Sequence, residues 1–118
     1  MPLASGVSLR PGTVVRYAID AANVGAEAAR DLRPQDRVPF GTVLLAASPS
    51  APTGASVEYS VDGGKSWAAH PTLVVRDAAG NASTVAATPD RYTAIRWLAP
   101  TALPHGAHER FSFEVTVK

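Results

Sequence analysis

Two segments near opposite ends of the chain alternate apolar and polar residues with a period of two. In TVVRYAIDAAN, Val15, Tyr17, Ile19 and Ala21 share one side, and Arg16, Ala18 and Asp20 take the other. In ERFSFEVTVK, Phe111, Phe113, Val115 and Val117 oppose Arg110, Ser112, Glu114 and Thr116. Successive side chains of an extended chain point to opposite faces. Each pattern therefore predicts a strand with one buried and one wet face, as in antiparallel sheets. Shorter signals lie between. Residues 42–47 predict a strand running into the turn-rich SPSAPTG, and Val57, Tyr59 and Val61 alternate behind it. After Pro71, residues 73–76 predict a strand closed by DAAGN, and residues 93–98 predict another with Ile95 and Trp97 on one side. Residues 48–54 and 77–88 read as long loops.

Composition supports this picture. Ten prolines and nine glycines in 118 residues argue against long helices. Short strands separated by turns predict an all-β fold, an antiparallel β-sandwich rather than alternating β-α-β units. The length predicts one domain, residues 1–118, able to form a core without staples. With no cysteine there is no disulfide or thiolate chemistry.

Eleven basic and ten acidic residues nearly cancel, which argues against nucleic acid as a partner. No apolar run approaches the roughly 20 residues of a membrane helix, so no membrane insertion is expected of this chain. The opening MPLASGVSLRPG has neither a basic start nor a long apolar run, so it predicts no signal peptide. A secreted protein with this start would be a piece of a longer chain or one that had lost its leader.

One motif invites a chemical reading. SVDGGKSW, with Ser60, Asp62, Gly64, Ser66 and Trp67, resembles the Asp-box of sialidases and other β-propellers. That resemblance implies a hairpin turn whose Asp accepts backbone N–H groups and whose Trp tucks beneath it. Asp62-Gly63-Gly64 is already a strong hairpin signal on backbone grounds. The expectation is a structural turn anchored to the core by Trp67, with Ser60 and Trp67 on paired strands. A sialidase needs several propeller blades, more than this length supplies.

Laid end to end, the landmarks resemble the bacterial and archaeal cell-surface repeat family known as DUF11, over residues 9–117. Pro11-Gly12 precedes a strand holding Tyr17 and Ile19, followed by Asn23, Gly25, Asp36 and Pro39. Later come Ile95-Arg96-Trp97, the turn Leu103-Pro104-His105-Gly106, and the last strand with Phe113, Val115 and Val117. The resemblance implies an immunoglobulin-like sandwich of seven to nine strands. Under it, residues 27–33 become an edge strand despite their helix-forming composition. Pro34, where the family has a β-branched residue, implies an edge position or a broken strand. His105 is an insertion that lengthens the last turn. Asn23 and Gly25 suit an Asx turn followed by a positive-φ residue. Asp36 would accept backbone N–H bonds where the chain crosses between sheets, and Trp97 would be the core tryptophan.

Other chemistry is sparse. His70, His105 and His108 lack metal-ligand spacing, and no metal or other cofactor is expected. Calcium would need carboxylates brought together, for which Asp62 and Asp90 are the pair to watch. No nucleophile elbow surrounds Ser60 or Ser66, and His70 has no orienting acid. Lys65 and Lys118 do not look like buried isopeptide amines. Asn81-Ala82-Ser83 is formally a glycosylation sequon.

The expectation is a non-enzymatic spacer or adhesive module of a secreted or cell-surface bacterial protein, presenting or linking neighbouring domains. Its partners would be those domains, and a surface protein or glycan. The alternative is a carbohydrate- or protein-binding module using end loops or an exposed aromatic sheet face. Assembly through an open edge strand is a third idea.

Overall fold

The computed structural model describes residues 10–99 and 102–118. Leu9, where the family resemblance begins, and most of the opening segment lie outside the described residues. The described residues form eight strands: β1 (Val14–Ala22), β2 (Gln35–Arg37), β3 (Thr42–Leu44), β4 (Ser56–Ser60), β5 (Thr72–Arg76), β6 (Ala82–Ala86), β7 (Ala94–Leu98) and β8 (His108–Val117). A 3-10 turn, Pro89–Arg91, precedes β7. One sheet has the order β1-β8-β3 and a second β2-β7-β4, while β5 and β6 pair only with each other. Every pairing is antiparallel. The fold is an all-β sandwich.

The period-two patterns set the register. Along β1 and β8, Val15 faces Val115, Tyr17 faces Phe113 and Ile19 faces Phe111. That pairing sends all six side chains inward. It also places Arg16 opposite Glu114 and Asp20 opposite Arg110 on the outer face, where ion pairs form at 3.2 and 2.9 Å. A slip of one residue would expose the aromatics and bury the charges, so the pattern admits one register.

From the second sheet come Tyr59, Ile95 and Trp97; with Leu44, Phe111, Phe113 and Val115 they make up the buried core. The Trp97 ring lies 5.5 Å from Phe111 and 6.2 Å from Phe113, tilted against both across the sandwich. Tyr17 stacks on Phe113 at 5.5 Å. Burying each large aromatic side chain stabilises the fold by about 1.5–3 kcal/mol in transfer terms.

Three expectations are corrected. Residues 27–33 form no strand: only Ala29 bridges, to Leu103, and Asp31 turns the backbone to φ 54. The edge strand is instead β2, immediately after Pro34, whose carbonyl accepts the Trp97 N–H at 2.9 Å. β3 stops at Leu44, because a turn closed by Ser48 N–H to Leu45 O follows at once. Residues 77–88 are not a long loop. Asp77 closes a tight turn to Gly80 and Asn81, and β6 follows.

The β5–β6 hairpin stands apart. Val74, Val75 and Val85 are all exposed, and of its paired residues only Leu73 is half-buried. With this arm the described fold extends 59 × 37 × 21 Å.

Candidate functional site

The segment from Ser60 to Trp67 folds as a closed turn. Tyr59 and Ala68 exchange backbone hydrogen bonds at 2.8 and 3.1 Å, a register that places Ser60 opposite Trp67. Gly63 and Gly64 take φ of 75° and 93°, which side-chain-bearing residues rarely adopt. Asp62 Oδ1 accepts the Ser60 hydroxyl at 2.6 Å and the N–H groups of Lys65 and Ser66 at 3.1 and 2.9 Å. Asp62 Oδ2 accepts the Ser66 hydroxyl at 2.6 Å. These donors, led by the Ser60 hydroxyl and then Ser66, hold the Asp62 carboxyl well below the ordinary carboxylate range. Its lone pairs are spent on its own turn. Among the described residues, no three acidic or histidine side chains gather as a metal site.

Trp67 does not reach the core, which corrects the expectation of an anchor. Tyr59 faces inward, so Ser60 and the residue opposite it face outward. Trp67 therefore lies half-buried on the outer face of the second sheet. The Arg96 guanidinium sits 4.8 Å from its ring centroid and is itself held by Glu58 at 2.7 Å. Nothing in the motif signalled Arg96. The parity of β4 could have: positions opposite Ser60 belong to the wet face.

Of the residues that carried the DUF11 resemblance, Asn23, Gly25 and Gly106 gather at the end of the sandwich away from Gly12 and Val117, while Tyr17 and Trp97 pack in the core. The Asn23 amide donates to the carbonyls of Glu27 at 2.7 Å and Leu103 at 2.8 Å, and its Oδ1 accepts the Gly25 N–H at 2.9 Å. This is an Asx turn that also ties two loops together. Gly25 does not take a positive φ, contrary to expectation. A Cβ there would stand 3.3 Å from Asn23 Oδ1, so the need is for space. Gly106, at φ 81°, occupies the third position of a turn closed by Ala107 N–H to Pro104 O, and His105 takes the second. The His105 ring contacts the Gly25 carbonyl.

Asp36 meets its expectation only in part: among the described residues its carboxylate accepts one backbone N–H, from its neighbour Arg37 at 2.8 Å. Pro39 begins a turn whose carbonyl accepts both the N–H and the hydroxyl of Thr42, with Gly41 at φ 82°. At its tip Phe40 stands wholly in solvent, 106% exposed.

Beside β2, two shallow clefts of about 400 and 410 Å³ meet and share Arg37 and Gly63. A recess of about 730 Å³ lies near Asn23 and His108. Its principal charges, Asp20 and Arg110, already pair with each other at 2.9 Å. Asp62 and Asp90 have each taken a local partner: Asp90 accepts the Thr88 hydroxyl, which with weaker local effects draws its pKa down.

In comparisons with known protein families, characterised proteins and solved structures, nothing matches this chain.

Proposed function

We propose that this domain is a non-catalytic module of a secreted or cell-surface bacterial protein, one that presents surfaces and neighbouring domains. The observation that carries this reading is where the chain enters and leaves the sandwich. The Gly12 N–H donates to Val117 O at 2.7 Å, and the Val117 N–H returns to Thr13 O at 2.9 Å. Both ends of the described fold therefore meet at one end of the β1–β8 ladder. The Asn23 clasp closes the opposite end, and the β5–β6 arm reaches outward. A domain tethered at a single point holds its other surfaces free for display. The resemblance of Tyr17, Asn23, Gly25, Trp97 and Gly106 to surface-repeat landmarks supports the extracellular setting. Antibody labelling of intact bacterial cells that make the protein tests this reading. Surface labelling is expected, and detection only after lysis overturns it.

A further inference from the structure

β2 is a three-residue edge strand whose outward side chains, Gln35 and Arg37, stand opposite Arg96 and Ala94 of β7. Ala94 is small and lines the floor of the first cleft, with Trp67 as one wall and Gln35 and Arg37 as the other. The Trp67 ring is not free to swing, since Arg96 lies over it and Glu58 fixes Arg96. Beyond Arg37 the second cleft continues past Gly63 to Phe40, Asp90 and Tyr92. Each cleft lies within the roughly 300–1,000 Å³ typical of small-molecule sites, and together they make an elongated groove.

The chemistry along the groove is specific. Aromatic side chains stand at both ends, Trp67 at one and the exposed Phe40, with Tyr92 beside it, at the other, and offer apolar surfaces. Between them stand planar polar groups that donate and accept. Among the described residues, neither the Arg37 guanidinium nor the Gln35 carboxamide has a side-chain partner. The lining charges balance, with Arg37 and Lys118 against Asp36 and Asp90.

We propose that the joined clefts along β2 bind an extended, uncharged oligosaccharide, with Trp67 and Phe40 as stacking surfaces and Gln35, Arg37 and Asp90 as hydrogen-bonding groups. A sugar ring presents an apolar C–H face to an aromatic ring and hydroxyls around its rim to planar amide, guanidinium and carboxylate groups. An elongated groove with aromatics at both ends requires several linked rings. A balanced lining suits an uncharged chain. A proline-rich peptide fits less well, because it would leave the polar lining unpaired in the covered groove.

The test is a titration of the ¹⁵N-labelled protein with cellohexaose, chitohexaose and maltohexaose, following the two tryptophan indole N–H resonances. The Trp67 resonance is expected to move with at least one of the three, while Trp97, 1% exposed, serves as the internal control. Phe40→Ala and Arg37→Ala should each raise Kd about tenfold, the loss of one good contact. Both side chains are exposed, so the melting temperature should hold. The monosaccharide of the responding sugar should bind at least about tenfold more weakly, since it spans one cleft. The proposal fails if none of the hexasaccharides moves the Trp67 resonance. It fails equally if binding survives both substitutions, or if a polyproline peptide binds and the sugars do not.

Discussion

Ser60 lies beneath Asp62, and the two form one unit. The Ser60 hydroxyl, on a side chain 1% exposed, donates to Asp62 Oδ1 at 2.6 Å and accepts the Gly64 N–H at 2.9 Å. Ser60→Ala therefore leaves the Gly64 donor without its partner as well as removing a hydrogen bond to the carboxylate. The expected loss is about 1–3 kcal/mol of unfolding free energy, measured in urea. Ser66→Ala, at an exposed position, should cost less. Equal costs would mean that burial of Ser60 contributes nothing.

Asp62, Asp77, Asp90 and Asp20 are all drawn below the ordinary 3.8, each chiefly by hydrogen bonds made in the native state. A depressed carboxyl takes up its proton in the unfolded chain first. Its contribution is complete above the unfolded value, about 3.9, and disappears as pH falls through the lower native value. Stability should hold between pH 7 and about 5 on this account and fall steeply below about 4. Asp62 is the most depressed of the group, so Asp62→Asn should flatten the acid limb. Melting temperatures at pH 6, 4, 3 and 2 test this, and an unchanged acid slope in the variant would remove Asp62 from the explanation.

Asn23 offers a chemical discrimination at the opposite end of the sandwich. Its amide donates to two carbonyls, a task that a carboxylate of the same shape cannot perform. Asn23→Ala should cost about 2–3 kcal/mol, and Asn23→Asp at least as much at pH 7, where negative charge faces two carbonyl oxygens. Lowering the pH toward 4 should recover part of the loss in the Asp variant alone. Chemical denaturation at the two pH values reads both effects. A benign Asp variant would show that geometry, not donation, is what matters there.

The β5–β6 arm should behave as a separate unit. A two-stranded hairpin is marginal in water by itself, and this one lays almost none of its surface on the core. Amides of β5 and β6 should exchange with solvent far faster than those of β8. Replacing residues 73–85 with a short glycine-serine link should change unfolding free energy by less than about 1 kcal/mol. A drop of several kcal/mol would mean the arm belongs to the cooperative fold.

The parts of the fold legible in the sequence are those where burial writes a strict period. β1 and β8 alternate cleanly because one face meets Tyr59, Ile95 and Trp97 of the facing sheet while the other meets water. β7 carries Ile95 and Trp97 for the same reason. β6 left no such trace, since ASTVA is exposed on every side and no face selects for apolar residues. At residues 27–33 the composition itself spoke against a strand, and the strand expected there rested on the resemblance alone; a single bridge at Ala29 needs no strand-forming composition. The turn chemistry of the candidate site was readable locally, in Asp62, Gly63, Gly64 and Asn23. The placement of Trp67 was legible only through strand parity: Tyr59 faces the core, so the residue opposite Ser60 faces outward. The groove along β2 was hidden. It is assembled from residues as distant as Gln35, Trp67 and Ala94, which no local pattern joins.

The pairing of Gly12 with Val117 has a mechanical consequence. Gly12 and Val117 are the first link in a ladder that runs from Val14↔Thr116 to Ala22↔His108. A force applied at residues 12 and 118 would act across those strands, not along them. The ladder would then open like a zip, one pair at a time, instead of resisting as a sheared block. Tension in a longer chain would thus peel β1 from β8 at the Gly12 end before it disturbed the Asn23 clasp.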